Sequence, residues 1–175
     1  MPNIILTGMP GAGKSTTGVI LAKTLRMNFV DTDLVVQERA GRRLQEIIDA
    51  EGTAGFLAAE EEAVLSLRVK NAVIATGGSV VLSGKAMAHL KEDGVVVYLE
   101  ISFPEMERRL RNITARGIVL PEGRGLRDMY DERVPLYRTY ADITVRSTGW
   151  DFEAVVGKII RGLRTVDGLG QAGER

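Results

Sequence analysis

The segment Gly8-Met-Pro-Gly-Ala-Gly-Lys-Ser-Thr16 constrains this chain more than any other stretch. Four residues separate Gly8 from Gly13, and Lys14 and Ser15 follow at once. A short apolar run, Asn3–Thr7, precedes it. Behind it lies a segment with apolar residues at Val19, Ile20, Ala22 and Leu25. Strand, glycine-rich turn and helix therefore stand in the order that a phosphate-binding loop requires. Glycines let backbone N–H groups turn inward around an anion without steric cost. The N-terminus of the following helix adds a positive end. Gly8, Gly11, Ala12, Gly13, Lys14, Ser15 and Thr16 are the expected nucleotide-binding residues, with Lys14 reaching the β- and γ-phosphates and Ser15 ligating Mg²⁺.

A loop of this kind needs a sheet behind it, and the rest of the chain supplies one. Short apolar runs at Asn28–Val30, Ala72–Ala75, Gly94–Leu99 and Asp142–Val145 read as strands. Helical patterns alternate with them at 34–40, 44–50, 53–69, 85–91, 104–110, 126–140 and 152–163. The run Gly94-Val-Val-Val-Tyr-Leu99 is apolar at nearly every position, as in a parallel strand covered on both faces. The expected fold is a three-layer α/β/α domain over residues 1–163, with a central parallel sheet of about five strands. Residues 112–125, rich in glycine and without periodicity, are expected to form a mobile lid, and 164–175 a flexible tail. Right-handed crossovers bring the loops after the strand C-termini to one edge, where open α/β sheets bind ligands.

Composition narrows the chemistry. Lys and Arg together number 23 and Asp and Glu 23, so no net field favours nucleic acid or a membrane surface. With no Cys and one His, His89, neither thiolate chemistry nor a Cys/His metal cluster is available. No leader and no apolar span are evident, so the expected setting is the cytoplasm, with a small-molecule partner and a monomeric enzyme.

Asp31 and Asp33 follow the second strand. Two apart in an extended segment, both would point the same way. One carboxylate can organise the water shell of Mg²⁺, and the other can take a proton from a substrate hydroxyl. The competing use of Asp33 is to cap a helix starting at Leu34. Arg116 lies in the irregular segment and Arg133 on the helix after it. An arginine on a closing loop stabilises a transferring phosphoryl group, although most arginines are merely solvated. Gly77 and Gly78 follow the third strand and permit close approach of a ligand to the backbone, or form a plain tight turn.

Taken together, GMPGAGKSTTGVILAKTL, FVDTD (29–33), VVYLEIS (96–102) and RVPLYRTYAD (133–142) resemble the shikimate kinase family of phosphate-loop proteins, over about residues 3–163. The resemblance implies transfer of the ATP γ-phosphate to the 3-hydroxyl of shikimate, with Mg²⁺. It gives Asp33 the place of the base and of a substrate-hydroxyl contact, and Asp31 a place at Mg²⁺ through water. It makes Arg116 the lid arginine, sets Arg133 on the substrate carboxylate, puts Gly77 and Gly78 in the substrate loop, and stands Arg109 near adenine. Departures lie on the acceptor side. Leu57 stands where a second carboxylate-binding arginine is usual, Ser79 where a third glycine is, and Thr53 where a glutamate is common. Losing one charge-assisted contact costs about 1.5–3 kcal/mol unless Arg43 or Arg124 supplies the charge. Two further readings follow: a kinase of the same fold for another hydroxylated metabolite, or a nucleotide-binding module with little transfer.

Overall fold

In the computed structural model, residues 1–111, 118–149 and 151–166 are described. Their order is β1 (Asn3–Thr7), α1 (Lys14–Leu25), β2 (Asn28–Asp31), α2 (Thr32–Ala40), α3 (Leu44–Leu65), β3 (Ala72–Ala75), α4 (Gly84–Glu92), β4 (Gly94–Glu100), α5 (Phe103–Arg111), α6 (Leu126–Tyr140), β5 (Ile143–Arg146) and α7 (Phe152–Val166). A 3₁₀ turn, Val80–Leu82, links β3 to α4.

The five strands form one parallel sheet in the order β2-β3-β1-β4-β5. β1 is central and wholly buried, with Ile5 paired to Ile74 on one side and Val96 on the other. Alternation along the strands divides the core. Ile5, Ala72, Ile74 and Val96 face Val64 of α3 and Ala86, Met87 and Leu90 of α4. Ile4, Leu6, Val73, Val95 and Val97 belong to the cluster that Leu21 and Ala22 of α1 and Val155, Val156 and Ile159 of α7 complete. Helices thus cover both faces, which is why β4 carries no alternating polar stripe.

Caps explain where several helices start. The Ser83 hydroxyl accepts from Ala86 N at 3.0 Å to open α4, and Asp151 accepts from Ala154 N at 3.0 Å to open α7. Asp31 Oδ1 accepts from Asp33 N at 3.0 Å and opens α2. This last cap corrects the sequence reading. The helix begins at Thr32, not Leu34, so Asp31 ends the strand while Asp33 sits in the first helical turn. The two carboxylates do not share one face of an extended segment.

Two other boundaries move. The expected break between the two segments of α3 falls at Gly52, which leaves helical geometry at φ 71° and ψ −176°, but the second segment stops at Leu65 rather than Val69. α7 continues through Val166, into the stretch expected to be a tail; residues 167–175 lie outside those described. Of the expected lid, 112–117 lie outside them as well. Its second half, 118–125, is irregular, and Val119 within it is buried among Val36, Ile47 and Phe56.

Candidate active site

The strands β1, β2 and β3 end side by side, and their following loops surround a cleft of about 300 Å³, a size suited to a metabolite. On one wall lies the turn between β1 and α1. Gly8, Gly11 and Gly13 hold φ of 147°, 81° and 85°. At Gly8 a side chain is excluded outright, because a Cβ would stand 2.7 Å from the Leu99 carbonyl oxygen of β4. No side chain caps α1 at Gly13, which leaves the helix N-terminus directed at the cleft for an anion. Lys14 is buried, and its Nζ donates to the Gly8 and Met9 carbonyls at 2.7 and 2.8 Å. Burial pulls its ammonium down to about 8, while Asp33, Asp31 and Glu60 oppose that shift and Arg133 adds to it. Lys14 therefore keeps its proton at neutral pH.

Ser15 and Thr16 face outward at the start of α1. The Ser15 hydroxyl donates to Asp31 Oδ2 at 2.7 Å. One hydroxyl and one carboxylate, both hard oxygen donors, are adjacent beside the loop. This set fits Mg²⁺, which takes few protein ligands and keeps its waters. Among the described residues no group of three His, Cys, Asp or Glu could hold a metal alone. Because Asp31 provides the helix cap, Asp33 is released from that duty. Asp33 lines the cleft with Lys14 and Arg133.

The opposite wall joins four separate segments. Gly77 and Gly78 follow β3, and Gly77 N donates to the Thr32 hydroxyl at 2.9 Å. At Gly77 a Cβ would collide with Glu60 Oε2 and lie 2.8 Å from Asp33 Oδ1. The missing side chain is what lets two carboxylates converge there. Arg133 of α6 is 3% exposed and donates to the Val119 carbonyl at 3.1 Å. It ties α6 to the second half of the expected lid while its guanidinium faces the cleft. One turn along α6, the Tyr137 hydroxyl donates to the Gly78 carbonyl at 2.5 Å.

Glu60 escaped the sequence reading as a site residue. It is 2% exposed, and burial pushes its carboxyl up to about 7; Asp33 adds to the rise, while the Ser79 hydrogen bond, Arg133 and Lys14 oppose it. The signal that could have found it was Ser79, which departs from the glycine expected there. The Ser79 hydroxyl donates to Glu60 Oε1 at 2.6 Å.

Other expected residues lie elsewhere. Arg109 is 2% exposed, and its guanidinium donates to Gly11 O at 2.9 Å, Ser147 O at 3.0 Å and Gly149 O at 2.8 Å, with Glu105 paired at 2.8 Å. It fastens the phosphate loop to the segment after β5. Arg116 lies outside the described residues. Leu57 lines a neighbouring cavity of about 170 Å³, which shares Glu60 and Ser79 with the cleft. Neither Arg43, exposed at the start of α3, nor Arg124, paired with Glu132 at 2.6 Å, lines the cleft.

Comparison with known proteins agrees with this geometry. Residues 10–164 match the family model described as shikimate kinase. A shikimate kinase of Caldanaerobacter subterraneus subsp. tengcongensis is 38% identical over 92% of this chain and 95% of its own. One from Legionella pneumophila is 39% identical over 91% and 93%. Among solved structures, shikimate kinase from Acinetobacter baumannii in complex with shikimate superimposes with a TM-score of 0.85 at 30% identity, covering 98% of this chain and 96% of that one. The chain belongs to the shikimate kinase family, and with it to the phosphotransferases that act on an alcohol group.

Proposed function

We propose that this family member transfers the γ-phosphoryl group of MgATP to a ring hydroxyl of shikimate. The observation that carries the reading is the division of labour between two aspartates. Asp31 caps α2 and holds Ser15, while Asp33 stands in the cleft between the phosphate loop and Gly77. A carboxylate lining a cleft otherwise built to hold phosphate suits a base.

In this reading the backbone of Gly8–Gly13 and the start of α1 bind the nucleotide phosphates. Lys14 exchanges its carbonyl partners for phosphate oxygens. Ser15 and Asp31 would hold Mg²⁺, which supplies charge neutralisation between the β- and γ-phosphates. Asp33 accepts the hydroxyl proton as the oxygen attacks phosphorus. Arg133, buried and cationic, holds the acceptor carboxylate, and the peptides of Gly77 and Gly78 close against the ring. Arg116, of the expected lid, adds positive charge at the transferring group, and Arg109, buried against Gly11, supports the nucleotide side from beneath the phosphate loop.

Purified protein with MgATP should be offered shikimate, quinate, gluconate, homoserine and nucleoside monophosphates while ADP release is followed. Strong stimulation by shikimate alone is expected. Stimulation by another acceptor and none by shikimate overturns the assignment. ATP binding with no stimulation by any acceptor returns the chain to a nucleotide-binding module.

A further inference from the structure

Glu60 carries an oxygen that nothing among the described residues engages. Its Oε1 accepts from Ser79, yet Oε2, fully buried, has no hydrogen-bond partner among the described residues. A buried acceptor left unpaired costs about 1–3 kcal/mol, so its persistence calls for a partner from outside. Nearby donors reach other acceptors. Lys14 Nζ is on the Gly8 and Met9 carbonyls, Arg133 Nη2 is on Val119 O, and Tyr137 is on Gly78 O. Leu57, one turn before Glu60 on α3, offers no donor at all. Oε2 meanwhile stands over the Cα of Gly77 next to Asp33 Oδ1, on the wall of the acceptor cleft.

We propose that Glu60 binds the acceptor directly, its Oε2 receiving a hydroxyl hydrogen from the ring carbon neighbouring the phosphorylated one, with Ser79 as the positioning residue that aims it. The inference rests on the acceptor reading above and deepens it: the site reads a vicinal diol through two carboxylates, Asp33 taking one hydroxyl and Glu60 the next. It also accounts for Ser79. A glycine there would leave Oε1 unheld and let the carboxylate turn away. The lost donor at position 57 has the same consequence, because Oε2 is now reserved for the ligand. Burial, which keeps the carboxyl protonated up to about pH 7, does not defeat the contact, since a carboxylic acid still accepts from, or donates to, a hydroxyl.

Steady-state kinetics of the full chain test this with E60L, E60Q and S79A, varying shikimate and ATP separately. E60L should raise the shikimate KM about ten- to hundredfold and leave the ATP KM within about twofold. E60Q, which keeps a polar partner at the same reach, should recover most of the loss. S79A should raise the shikimate KM about threefold to tenfold. Against analogues lacking one ring hydroxyl, the wild type should discriminate at one position and E60L should lose that discrimination. A purely structural Glu60 would not move this last readout. Should E60L not fold, as judged by its melting curve, S79A and the analogues decide. Wild type active on shikimate, with every variant's shikimate KM within twofold of it, overturns the inference alone. Wild type inactive on shikimate overturns the acceptor reading, and this inference with it.

Discussion

The nucleotide wall of the cleft comes from consecutive residues, Gly8–Ser15, on one turn between β1 and α1. The acceptor wall draws Asp33 from α2, Glu60 from α3, Gly77–Ser79 from the loop after β3 and Arg133 from α6. The first wall offers chiefly backbone N–H groups, whose direction depends on glycine torsions and a helix end. The second offers side chains, whose direction depends on packing between distant elements. A wall of backbone tolerates changes of side chain around it. In a wall of side chains, a single replacement acts on a neighbour, as the Ser79 hydroxyl does by donating to Glu60. The two walls should therefore be separable in experiment.

The sharpest break is D33N. Loss of the base should cut kcat about 10²–10⁴-fold, with ATP affinity within about twofold of wild type by calorimetric titration. A D33N enzyme that still turns over would remove Asp33 from proton transfer and merge the two walls into one binding surface.

Stability against pH gives the next largest effect, and it isolates the acceptor wall. The folded carboxyl of Glu60, lifted to about 7 by burial, holds its proton more tightly than in the unfolded chain, where it titrates near 4.5. Its contribution is intact below the unfolded value and declines as pH climbs toward the folded one. The fall should reach about 3 kcal/mol across that window in enzyme without acceptor, and E60Q should show none of it. Urea unfolding at pH 4.5 and pH 7.5 measures the difference. Equal slopes in the two proteins would mean that Glu60 is better solvated than its 2% exposure implies.

R133M is the mildest of the three. Removing a charge-assisted contact to the acceptor should raise the shikimate KM about ten- to hundredfold, with the ATP KM nearly unchanged. Since Arg133 also ties α6 to Val119, a parallel loss of stability is expected. An ATP KM that rises as much as the acceptor KM would place Arg133 on both walls.

Much of this architecture could be read from residues 3–163 alone. The order of strands and helices followed from runs such as Gly94–Leu99 and from the break at Gly8–Gly13, because hydrophobic period and glycine placement are local properties. Boundaries at Thr32, Leu65 and Val166 moved because caps and helix ends are decided by neighbours in space. The candidate site was half legible. Lys14 and Ser15 could be placed by spacing, and Arg133 and Gly77 by resemblance. Glu60 could not, since an ordinary glutamate in an alanine-rich helix reads as solvated until α3 is seen to bury it behind Gly77.

By itself the sequence determined that a loop of phosphate-binding form would stand between the first strand and first helix, because that form is built from torsions of adjacent residues. Only the tertiary structure decided which aspartate would cap a helix and which would face the cleft. It also left a second carboxylate oxygen buried there without a hydrogen-bond partner among the described residues. Those outcomes depend on α2 and α3, distant along the chain, meeting over Gly77, which has no side chain to keep them apart.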